Sequence, residues 1–149
     1  MLAKFSVTAL VVIAWAGAAA AQDNMCGDLP IGPVIPSPGD IQKKSAAEAA
    51  TVQHGVFLDI KRWQGSLKSY RDCLNATDNT DHTALGEAQR GGDKTDTAKI
   101  DKYTSAIANL GHAWDASVDE EERVVNQFHA MQVAYCGRSD VNRASCPKT

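Results

Sequence analysis

The chain has 149 residues, with 15 Lys and Arg against 18 Asp and Glu, for a formal net charge of -3. So mild and scattered a negative balance, with no basic block, argues against nucleic acid or anionic lipid as a partner. Four cysteines, and no later apolar run long enough for a bilayer, fit one small exported domain stapled by disulfides.

Lys4 and the apolar run FSVTALVVIAWAGAAA have the form of a signal peptide, and Ala19-Ala20-Ala21 predicts cleavage before Gln22. The expected divisions are a signal peptide at 1–21, a Pro-rich extended arm at 22–39, a helical domain at 40–136 and a disulfide-closed tail at 137–149. The mature chain, about 128 residues, would be periplasmic or secreted, with no membrane span.

The arm, GDLPIGPVIPSPGD, carries four prolines in nine residues, which excludes a helix and favours polyproline geometry. Two helix starts follow. Ser37-Pro38-Gly39-Asp40 reads as an N-cap with proline at the first helical position, and Ser45 to Glu48 has capping-box form. The residues alone do not choose between them.

From Ile41 the apolar series runs through Val52, Val56, Ile60, Trp63, Leu67, Tyr70 and Leu74. Its mean step of about 3.67 is the eleven-residue rhythm of a nearly straight seam. A second series takes Ile107, Leu110, Trp114, Val118, Glu121, Val125, Phe128, Met131 and Tyr135, ending at Gly137 as a C-cap. Helices are therefore predicted at about 41–75 and 97–136, joined by a polar, glycine-punctuated loop at 76–96. The fold class is all-α: an antiparallel two-helix hairpin with the Pro-rich arm, stapled by disulfides. A three-helix bundle with a break near Gly111 is the alternative. In the hairpin, Trp63 is expected to face Trp114, Tyr70 to face Ile107, and Ala49 to face Phe128. Glu121 falls on the seam and calls for a cation, with Lys61 or Arg62 as candidates.

The hairpin restricts how Cys26, Cys73, Cys136 and Cys146 pair. Cys73 and Cys136 would stand about 50 Å apart at opposite ends. The ten residues from Cys136 to Cys146 extend at most about 35 Å, so Cys146 also fails to reach Cys73. The arm, about 59 Å long as polyproline, covers the roughly 42 Å of helix between Ser45 and Cys73. Only Cys26–Cys73 with Cys136–Cys146 pairs all four, and it makes the arm a third layer over a hairpin that is otherwise thin. A free Cys73 would instead offer a reactive thiol beside Arg71.

Catalytic patterns are missing from the sequence. There is no C-x-x-C, G-x-S-x-G, P-loop or G-x-G-x-x-G, and His54, His82, His112 and His129 make no zinc spacing. The expectation is a non-catalytic protein without metal or cofactor. An envelope protein is a compatible partner, and so is a second copy of the chain. Asn75-Ala76-Thr77 has the N-glycosylation form.

Two segments carry a resemblance. YRDCLNA closing the first helix, and WDASVDEEERVVNQFHAMQVAY making the second, resemble small exported helical proteins of Gram-negative bacteria, a group with no assigned activity. Tyr70-Arg71-Asp72 is also similar to the W-x-x-Y-R-D-x-x-C helix of LprI-type lysozyme inhibitors. Here, however, the tryptophan stands seven residues upstream and Cys73 follows at once. The resemblance implies an envelope protein, or an inhibitor of a secreted enzyme such as lysozyme.

Overall fold

The computed structural model describes residues 25–91, 94–141, 144 and 146. The expected signal peptide, the first three residues of the arm and most of the tail beyond Val141 lie outside the described residues. Three helices are present: α1 (Pro38–Gln42), α2 (Ala46–Gly91) and α3 (Lys94–Cys136), with no strand among the described residues. Among the described residues no helix is long and apolar enough to cross a membrane.

Both start signals are used. Ser37 caps α1, its hydroxyl accepting from the Asp40 amide, with proline in the first turn. Ser45 and Glu48 then form a reciprocal capping box: the Glu48 amide donates to Ser45 Oγ at 3.3 Å and the Ser45 amide to Glu48 Oε2 at 3.0 Å. The turn between these helices is held from the far end of the chain. Arg138 donates to the carbonyls of Ile41 and Lys44 at 2.8 and 2.9 Å, joining the Lys44 amide at the first of them. Ile41 is fully buried beneath it. The third helix is thus a single turn before the hairpin. α3 runs unbroken through Gly111, so the bundle with a break there is not formed.

The expected polar loop at 76–96 is instead mostly helix, and this is the main correction. α2 continues to Gly91 and α3 starts at Lys94. The stretch is polar yet helical, because Thr80 and Thr83 fold their hydroxyls back onto the carbonyls of Ala76 and Asn79. Ala84, Leu85 and Ala88 supply enough apolar surface for one face, and Ala88 is buried. Lengthening α2 moves the register. Trp114 lies under the guanidinium of Arg71, 5.6 Å from its ring, and does not face Trp63. Phe128 packs beside Phe57, with centroids 6.4 Å apart, rather than against Ala49.

On α2 the buried positions Val56, Ile60, Trp63, Leu67, Tyr70 and Leu74 are those of the predicted stripe, and they also align at seven-residue steps. On α2, Ala49, Val56, Trp63 and Tyr70 form one line at seven-residue steps, and Ile60, Leu67 and Leu74 form another. On α3, Ser117, Val124 and Met131 repeat at seven, and all are fully buried. Val118 and Val125, expected in the seam, are exposed at 41% and 50%. Val52, Ile107, Leu110, Trp114 and Phe128 are half-buried. Hydropathy alone prefers Val118 to Ser117, yet the serine hydroxyl is fully bonded inside: it donates to the Trp114 carbonyl at 2.6 Å and accepts from Arg71 Nε at 2.8 Å. A satisfied polar group costs little to bury. α3 ends as expected at Gly137, whose amide bonds the Val133 carbonyl at 3.0 Å, without a left-handed conformation.

Candidate functional site

The arm is pinned at several points along one side of the seam. Cys26 bonds to Cys73, and Cys136 to Cys146, the two pairs that the distance argument leaves. Gly27 turns the chain with φ 76°, a conformation that favours glycine. The Trp63 indole donates to the Pro30 carbonyl at 2.8 Å. The Gly32 amide donates to Glu120 Oε1 at 2.7 Å, and its backbone lies so close to Val124 that a β-carbon would collide with the valine methyl. Leu29 and Ile35 pack on the core.

These contacts have a three-residue period. Leu29, Gly32 and Ile35 face the helices, whereas Ile31 and Val34 point outward at 84% and 93% exposure. Pro30, Pro33 and Pro36 occupy the third position of each triplet. Three residues per turn is the polyproline repeat, so the proline spacing that excluded a helix also aims the side chains. The arm touches both long helices, through Trp63 on α2 and through Glu120 and Val124 on α3. It therefore straps the seam rather than lying along α2 alone.

Glu120 is the polar anchor of the strap. Arg123 donates to both its oxygens at 2.7 Å, and that bond, with the Gly32 amide, holds the carboxyl below its ordinary value of 4.5. A carboxyl lowered in the folded state gives stability that is fully present above the unfolded value and is lost as pH falls through the folded one. Asp40, Glu48 and Asp140 are lowered as well, by Ser37, Ser45 and Arg138 respectively, so the wild-type curve sums several groups. The contribution of Glu120 is the difference from Glu120→Gln. Urea midpoints measured between pH 3 and 6 are expected to separate the two proteins at pH 6 and to draw together progressively as pH falls below the ordinary value of 4.5. A gap independent of pH would remove the anchor role.

A second polar cluster crosses the opposite side of the seam. Arg71 donates to Ser117 Oγ at 2.8 Å, to the Ser117 carbonyl at 2.9 Å and to Glu121 Oε2 at 2.6 Å. Its guanidinium also lies over the Trp114 ring. Glu121 does find a cation, but neither expected partner supplies it. Arg62 pairs with Asp59, and Lys61 bonds Gln64 while lying 5.6 Å over the Phe57 ring. No buried side-chain polar atom among the described residues lacks a partner.

No family model, curated protein or solved structure matches the chain. No three His, Cys, Asp or Glu side chains among the described residues gather as a metal site, and His54 and His129 are both exposed. Two open depressions mark the surface. One of about 430 Å³ lies along Asn79, Thr83 and Glu87, and the other, about 160 Å³, is bordered by Leu74, Asp78, Gly111 and Trp114. In the first, the Thr80 and Thr83 hydroxyls donate to the backbone carbonyls of Ala76 and Asn79. In the run from Val118 to Arg123, Glu120 and Glu121 bond different arginines and do not face one another across a cleft. Cys73 is bonded to Cys26, so the structure holds no thiol there for redox chemistry.

Arg71, Ser117, Glu120 and Gly32 organise this surface, and none was singled out from sequence as a site residue. One signal was available. A carboxylate on an apolar stripe requires a partner, and the register decides which.

Proposed function

We propose that the protein is a non-catalytic component of the bacterial envelope, periplasmic or secreted, that binds or braces another envelope protein through the outer face of its strap. The observation that supports this is the exposure of Ile31 and Val34 on a segment tied down by a disulfide and two cross-seam hydrogen bonds. Apolar side chains on a pre-ordered backbone lose little entropy on docking, which favours recognition. Two disulfides are in keeping with an oxidising compartment. The seven-residue seam is of coiled-coil type and makes α2 a stiff rod of roughly 70 Å.

The test is in-cell photocrosslinking, with a photoreactive residue placed at position 31, at 34, or at the exposed helical residue Asn126. Discrete adducts to the same protein from 31 and 34, missing from 126, are the expected outcome. Matching patterns at all three positions would remove the strap as the binding face. Turnover of any substrate by the purified protein would overturn the non-catalytic reading.

A further inference from the structure

The seam has two flanks. The strap covers the one that carries Cys73, Trp63 and Glu120. The other carries Phe57 and Arg71 on α2, which reach Phe128 and the Ser117–Glu121 turn on α3. Val118 and Val125, seven residues apart, continue this flank. Phe57, Val118 and Val125 are 40%, 41% and 50% exposed there. The outer edges of the same flank differ in charge. Stepping by seven, α2 presents His54, Lys61 and Lys68, whereas α3 presents Asp115, Glu122 and His129, so the contrast in charge lies between the two lysines and the two carboxylates. Among the described residues Lys61, Asp115 and Glu122 form no ion pair, and Lys68 pairs with the exposed Asp72 one turn on.

We propose that this open flank binds a second copy of the chain, in a twofold dimer whose axis runs parallel to the helices. Rotation about that axis sets α2 of one copy on α3 of the other, at the same level and in opposite direction. Neighbouring helices then alternate in direction around a four-helix bundle, with Phe57, Val118, Val125 and Phe128 of both copies at its centre. The same rotation lays the basic edge of each α2 along the acidic edge of the partner's α3. In the observed register, where Arg71 meets Ser117, Lys68 and Lys61 come within about one and a half turns of Glu122 on the other copy. An axis running across the helices would instead set like edges together, lysine on lysine. Charge complementarity therefore selects the parallel axis.

The size of the face sets the strength. From Phe57 to Arg71 it runs about 21 Å, and two helices are about 20 Å wide. With its rim this amounts to roughly 600 Å² per copy, the lower end of stable interfaces. Dissociation in the micromolar range is expected.

Sedimentation of the mature chain from 1 to 500 µM tests the proposal. Wild type is expected to pass from monomer to dimer, and Val125→Asp to remain monomeric at every concentration. Val125 is exposed, so helical circular dichroism of that variant should match wild type. Lys61→Glu with Lys68→Glu is expected to weaken dimerisation at least tenfold, and so is Asp115→Lys with Glu122→Lys. Mixing these two chains should restore a 1:1 dimer. Ile31→Asp, on the strap, should leave the dimer unchanged, which separates this face from the one assigned to an envelope partner. A wild type that stays monomeric at 500 µM overturns the proposal. A dimer indifferent to Val125→Asp, or to the charge reversals, does so equally.

Discussion

Replacing Cys26 and Cys73 together by serine is expected to lower the unfolding free energy by about 4 kcal/mol and to release the strap. The bond closes a loop with a sequence separation of 47, and the unfolded chain gains most entropy when a long loop is opened. The Cys136–Cys146 bond spans only 10, so the same reasoning assigns it about 3 kcal/mol. Against a typical total of about 5–15 kcal/mol, the first loss removes a large fraction. The consequence is local as well as global. Without its covalent end the arm has only the bonds of Trp63 to Pro30 and Gly32 to Glu120 and the packing of Leu29 and Ile35, which are expected not to hold it against the helices. Trp63 then gains water, and its emission should shift to longer wavelength when Trp114 is replaced by phenylalanine to isolate the signal. Urea denaturation gives the free energy and fluorescence reports the strap. A loss below about 1 kcal/mol with unshifted emission would mean that the non-covalent contacts suffice.

The disulfide pairing was legible because it follows from length, and helix rise and chain reach are nearly independent of sequence. The all-helical class was legible for a similar reason, since stripes of about 3.6 residues survive several glycines. What failed was phase. Residues 76–90 look like a loop by polarity, but a helix exposed on most of its surface needs only Ala84, Leu85 and Ala88 on one side. Missing that stretch moved the turn, and with it every cross-helix pair. The choice of Val118 and Val125 over Ser117 and Val124 has a different cause. Hydropathy ranks valine above serine, while the fold ranks a satisfied serine next to Arg71 above a valine pointing away from the seam. The strap explains the rest: Val124 is covered by Gly32 across a sequence distance that no periodicity reports. The polar clamp was half visible. Glu121 announced a need for a cation, and only the true register names Arg71.

That clamp carries the second large effect. Arg71→Met is expected to cost about 2 kcal/mol, because it removes the cation from Glu121 and both donors that Arg71 gives to a fully buried Ser117. Breaking a fully buried pair costs about 3–5 kcal/mol, but the side chains of Arg71 and Glu121 retain 20% and 34% exposure, and water screens part of the loss. The partner change is milder. Glu121→Leu strands the guanidinium less, since Arg71 keeps two hydrogen bonds to Ser117 and its place over Trp114. Combining Arg71→Met with Glu121→Leu should recover stability to within about 1 kcal/mol of wild type, giving a coupling energy of about 1–2 kcal/mol in a double-mutant cycle. α2 ends at Gly91 and α3 begins at Lys94, so the short connection holds the register even without the clamp. The cycle therefore reads the interaction rather than a slipped seam. If Arg71→Met cost less than about 0.5 kcal/mol, or the two changes simply added, the pair would be a surface contact, and burial of Ser117 would rest on its bond to the Trp114 carbonyl alone.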